Sequence, residues 1–108
     1  MIYYRYLQRP DGIFGIEHRF ECATDSTPWH AHENPDYAHA CQLVRGRARI
    51  DFKKRKSIRI TEQELLFDVT AVHRVTADRG DTVVFNRLYP VPEDWKEKLR
   101  TEGEWQCL

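Results

Sequence analysis

The stretch Trp29-His30-Ala31-His32, continuing through Pro35-Asp36-Tyr37-Ala38-His39 to Gly46, holds three of the five histidines of the chain. In an extended segment alternate side chains share a face, so His30 and His32 point the same way. His39 stands in the apolar run 37–44, which has the length of a strand. A fourth histidine, His73, opens another strand-like run. Two adjacent strands would bring His30, His32, His39 and His73 within reach of one metal ion.

Outward from this stretch the pattern stays that of short strands. Residues 2–7 are aromatic and β-favouring, and Arg9-Pro10-Asp11-Gly12 is a turn signal. Residues 13–22 alternate, with Phe14, Ile16, His18 and Phe20 on one face, so the two runs read as a hairpin. Residues 24–28 are a loop by composition and deliver the chain to the histidine pair. Glu33-Asn34-Pro35-Asp36 is a second loop. Further strands are expected at 37–44, 48–52, 57–60, 64–69, 72–77 and 82–89. Turns at Arg45-Gly46-Arg47, Lys53-Lys54-Arg55-Lys56 and Asp78-Arg79-Gly80-Asp81 separate them. Regularly spaced short strands close into a small sandwich or barrel. Pro90-Val91-Pro92 ends the last strand, and 93–100 reads as a short helix with acidic residues first and basic ones last. Trp95 and Leu99, four apart, would pin it to the barrel.

The bulk numbers narrow the function classes. At 108 residues with 41% hydrophobic and 12% aromatic residues, the chain is one domain, 1–108, with a modest core. Seventeen basic and seventeen acidic residues cancel, which argues against nucleic acid or a membrane surface recruited by bulk charge. No apolar run has the length to span a bilayer. The first residues lack the layout of a signal peptide, so the expected compartment is the cytoplasm. Cys22, Cys41 and Cys107 form no CxxC pair and read as reduced thiols.

His30-x-His32, followed by a strand that ends at Gly46, resembles the first motif of cupins. There an HxH pair is followed by a Glu, six residues and a Gly. Counted back from Gly46, the Glu position holds His39. His73 matches the single histidine of the second cupin motif. The sequence departs from the pattern at several places. The loop from His32 to His39 is longer, and Asp68 and Thr70 stand where Pro and Gly are usual. Ala77 stands for the later Asn. The resemblance covers about 13–88. It implies an all-β, small cupin-like jelly-roll (double-stranded β-helix) barrel over about 2–89, with the short C-terminal helix at about 92–101. It also implies one divalent transition metal, iron, nickel, manganese, copper or zinc, held by the four histidines.

Neutral imidazole is a good ligand for such metals, and an all-histidine set leaves the ion its full charge as a Lewis acid. The 2-His-1-carboxylate pattern is absent, since HxH replaces HxD or HxE, and Glu33 would point away from the pair. No general base stands out. Each residue also has a plainer reading. His30 and His32 fit an exposed loop, and His39 fits a hydrogen-bonded core histidine. His18 reads as core or cavity lining, Cys41 as a buried inert thiol, and Trp29 as a cap on the core. Asn86 and Arg87 take opposite faces of the last strand. The Lys53–Lys56 run fits a charged hairpin tip that discourages edge pairing.

Three functions follow. The resemblance implies a metal-dependent dioxygenase, isomerase or lyase acting on a small oxygenated molecule. The alternative it allows is a non-catalytic small-ligand-binding or sensing module. The third reading is a purely structural barrel that dimerises through Tyr3, Tyr4 and Tyr6 of the first hairpin. A homodimer is the expected assembly.

Overall fold

Alternation of apolar and polar residues shapes the strands. On β4 (Ala48–Phe52) Ala48, Ile50 and Phe52 are buried on the inner side, while Arg49 lies half-buried on the other. The computed structural model describes residues 1–31, 38–68, 70–89, 93, 97 and 104–108, without the side chains of 38, 39, 88 and 89. The remaining strands among these residues are β1 (Ile2–Gln8), β2 (Phe14–Phe20), β3 (Ala38–Arg45), β5 (Ile58–Ile60), β6 (Leu65–Leu66), β7 (His73–Ala77), β8 (Thr82–Tyr89) and β9 (Gln106–Cys107).

They form two antiparallel sheets. The larger has the order β6-β3-β8-β2-β1-β9 and the smaller β5-β4-β7. The β1–β2 hairpin pairs Ile2 with Phe20 and Gln8 with Phe14 across the expected turn. Between β3 and β4, Gly46 adopts a φ of +84°, and a Cβ there would lie 2.7 Å from Thr82 Cα. Only glycine fits this turn, both for its backbone and for its space. The core lies between the sheets: Phe20, Cys41 and Val84 meet Ala48, Ile50, Phe52, Ile60, Val75 and Ala77.

The outer faces are covered by long polar side chains. On the large sheet Arg5 bonds Glu17 at 2.8 Å and lies 4.4 Å over Trp105, and Arg19 lies 4.8 Å over Tyr3. Arg9 sits 4.8 Å over Phe85. This layer explains how Phe85 and Val83, on the outward side of β8, are buried. On the small sheet Asp51 is buried on the outer face because Arg49, Ser57, Arg74 and Thr76 all donate to it.

Several expectations shift. A closed barrel is not what forms: the sheets face each other and stay open. The small sheet has three strands, and irregular chain meets both of its edges. On the β5 side, Leu43 N–H donates to the Thr61 carbonyl. On the β7 side, residues 24–30 run alongside. Of the strand expected at 64–69, Leu65–Leu66 forms among the described residues and Val69 lies outside them, and β9 was not expected. Residues 24–28, read as loop, and the histidine stretch after them run along β7, with bridges at Ser26–Thr76 and His30–His73. Composition misled there: Thr27, Pro28 and neighbouring polar residues signal a turn, yet the edge of β7 supplies backbone partners. Of the expected C-terminal helix, only Glu93 and Glu97 are among the described residues, and Trp95 and Leu99 lie outside them.

Candidate functional site

The segment 24–30 places the first histidine. Thr24 N–H donates to Ala77 O, Ala77 N–H to Asp25 O, and Thr27 N–H to Val75 O. The Thr27 hydroxyl accepts from Val75 N–H at 2.9 Å, a side chain standing where a ladder carbonyl would be. Beyond Pro28, which has no N–H to give, His30 and His73 exchange both backbone hydrogen bonds at 2.9 Å. The two rings come to 4.3 Å between centroids, inclined by 60°.

Both rings are fixed in one tautomer. His30 Nδ1 lies 2.8 Å from the Pro28 carbonyl, and His73 Nδ1 lies 2.7 Å from the Ala71 carbonyl. A carbonyl only accepts, so each Nδ1 carries the hydrogen. In the neutral imidazole each Nε2 then bears the lone pair, the arrangement that metal-binding histidines show. Phe67 meets His73 edge-on at 4.9 Å and Phe52 stands at 6.4 Å, so aromatic rings wall the His73 side.

His18 is the third imidazole near this place, on the inner face of β2. Burial is the main cause that pushes its pKa down to about 4, and the charge of His30 adds to it. Asn86 of β8 stands 3.4 Å from His18 Nδ1. His18 is thus a neutral imidazole facing inward beside the Asn86 amide. Cys41, also inward, has its thiol pushed up to about 12 by burial and is inert.

Of the four histidines expected to bind metal, the structure brings His30 and His73 together. His39, on β3, stands in register with Leu88 of β8, and its side chain lies outside the described atoms, as does all of His32. Among the described residues no group of three or more His, Cys, Asp or Glu side chains stands ready to hold an ion. Trp29 does not cap the core. It is 36% exposed and lies between Lys53, 4.7 Å away, and Arg74, 4.4 Å away. Sequence reasoning missed the two carbonyl anchors, Pro28 and Ala71. Each stands two residues before its histidine, a spacing with no composition signal.

No protein-family model and no curated protein matches the sequence. Solved structures do match the fold. An RmlC-like cupin from Desulfovibrio desulfuricans superposes with a TM-score of 0.65 at 16% identity, over 82% of each chain. The Cupin_2 domain of an XRE-family transcriptional regulator from Enterobacter cloacae does so with 0.62 at 11%, over 82% of this chain and 97% of that one. A structure from work on the DMSP lyases RdDddP and RnDddQII gives 0.61 at 14%, over 81% of this chain and 46% of that one. At such identities the likeness lies in the backbone. With two antiparallel sheets around one core and cupins recurring among its structural neighbours, this chain has the fold of a small cupin domain.

Proposed function

We propose that the chain is a metal-binding cupin that holds one divalent transition metal through His30, His32, His39 and His73. In this reading it is a small metal-dependent enzyme of dioxygenase, isomerase or lyase type, working on a small oxygenated molecule. The observation that carries the reading is the pair of anchored imidazoles. Two histidines, one on β7 and one on the segment bridged to it, have Nδ1 committed to backbone carbonyls and Nε2 left as the basic nitrogen. A donor set of neutral imidazoles suits iron, nickel, copper or zinc. A bound ion would supply Lewis-acid polarisation of an oxygen ligand.

The chain's own residues do the remainder. The Pro28 and Ala71 carbonyls hold the rings in orientation, so little reorganisation accompanies binding. Phe52 and Phe67 keep the His73 side apolar. His18, neutral at physiological pH and paired with Asn86, offers a polar contact without adding charge. The likeness to the regulator domain, across 97% of that domain, supports the second reading: a ligand-binding or sensing module on the same site.

The test is metal analysis of untagged protein by mass spectrometry, beside a His30→Ala/His73→Ala variant checked for fold by circular dichroism. About one metal per chain, lost in the folded variant, is the expected result. Equal metal in both proteins, or none in either after reconstitution, would overturn the proposal. With metal bound, turnover of small hydroxy or keto acids separates the enzyme from the sensing module, which would bind without converting them.

A further inference from the structure

The zero net charge of the chain hides a strong polarisation. Eight of its seventeen basic residues fall between 45 and 60, against one acid, Asp51. Asp51 is already engaged inside the fold by Arg49 and Arg74. Arg47, Lys53, Lys54, Arg55, Lys56 and Arg59 are exposed along β4, β5 and their turns, and Arg45, at the end of β3, is paired with Asp81.

At the tip of this hairpin the charge meets a concavity. A cleft of about 410 Å³ is lined from the β4–β5 turn by Lys53, Lys54 and Arg55, and from the segment leading into β7 by Thr70, Ala71 and Val72. Phe52 adds an apolar surface, and Arg55 lies 3.9 Å over its ring, which holds the guanidinium in place. Among the described residues of the lining, Asp68 is the one acid. It accepts from the Thr70 hydroxyl and backbone N–H, so its lone pairs are partly committed.

We infer that this cleft is a binding site for a small organic anion, one carrying a phosphate or carboxylate group on a compact, partly apolar body. Lys54 and Arg55 supply charge-assisted donors to the anionic group. Phe52, Ala71 and Val72 supply contact for the body, and Asp68 can accept from a hydroxyl on it. The volume falls in the roughly 300–1,000 Å³ range of small-molecule sites, which favours a small ligand over a polyanion lying along the whole strip. The cleft adjoins the histidine pair, since Phe52 and Ala71 of its lining also stand against His73, but its cationic donors Lys54 and Arg55 are no part of that pair. His73 turns its Nδ1 to the Ala71 carbonyl beside the cleft, and the basic nitrogen of that ring is the other one. The inference therefore stands whether or not a metal binds.

Metal-free, isotope-labelled protein titrated with phenyl phosphate and with benzoate at constant ionic strength tests it. The expected result is saturable one-site binding, with amide shifts confined to 52–55 and 70–72. In Lys54→Ala/Arg55→Ala affinity should fall about tenfold or more, as expected for losing charged hydrogen bonds. Its unfolding midpoint should move little, since both residues are exposed and only the Arg55–Phe52 contact is lost. Arg47→Ala/Arg59→Ala should bind as the parent does. Tighter binding of phenyl phosphate assigns the site to phosphate esters, and comparable binding of benzoate extends it to carboxylates. Non-saturable shifts spread over the strip, or undiminished binding by Lys54→Ala/Arg55→Ala, would overturn the inference. So would a short DNA duplex that perturbs the whole strip while neither small anion saturates.

Discussion

His18 shows how one half-buried imidazole writes itself into the pH response of the protein. An unfolded histidine takes up its proton near 6.5, whereas His18 in the folded chain does so near 4. Between these values the unfolded chain binds the extra proton. Stability from this group is therefore complete above pH 6.5 and is lost as the pH falls toward 4. With allowance for partial exposure the loss is about 2 kcal/mol. Urea denaturation of metal-free protein across this window should show it, and His18→Gln should flatten the slope. A second residue-scale prediction concerns Gly46. Alanine there meets a positive φ together with the backbone and side chain of Thr82. Gly46→Ala should destabilise by about 2–4 kcal/mol, read from the shift of the denaturation midpoint.

At the scale of elements, the segment 24–30 decides where the histidine pair stands. It lacks a continuous ladder, and the Thr27 hydroxyl bridges the gap by accepting from the buried Val75 N–H. Thr27→Val keeps the shape and removes the acceptor. The expected cost is about 1–3 kcal/mol, with weaker metal binding because His30 loses its guide. Comparing chemical denaturation with a metal titration in the same variant checks both. If stability falls while metal affinity holds, the segment does not position His30. Thr24, at a φ of +72°, carries the strain of the entry into this segment. On the outer face of the small sheet, burial works to raise the Asp51 pKa. Hydrogen bonds from Thr76, Ser57, Arg49 and Arg74 outweigh it and hold the carboxylate far below its usual range. That network ties β4, the β4–β5 turn and β7 to one another from the outside.

For the whole molecule, two open sheets leave the candidate site bridging a late strand of the small sheet and a segment that precedes β3. An ion bound there would tie together parts of the chain 43 positions apart, from His30 to His73. Added nickel or zinc at a hundredfold excess over its Kd should stabilise the folded state by about 2.7 kcal/mol. Thermal unfolding with and without metal measures this, and His30→Ala/His73→Ala should show no gain. An equal gain in that variant would place the binding elsewhere.

Much of this was legible in the chain itself. Alternation at Phe14, Ile16, His18 and Phe20, and at Ala48, Ile50 and Phe52, marks half-buried strands, because the side-chain period of a strand is two. Turn residues at Asp11-Gly12 and Gly46 mark where they reverse. The spacing of His30, His32, Gly46 and His73 pointed to the cupin fold. The tertiary structure decided what no local pattern encodes. It set the pairing of His30 with His73, which depends on the edge of β7 offering backbone partners to a segment that reads as loop. It fixed the tautomers, because the Pro28 and Ala71 carbonyls reach the rings only once those strands are side by side. It also gathered the basic residues of 45–60 beside Thr70–Val72 into a cleft, since charge summed along a sequence carries no information about which face it will occupy.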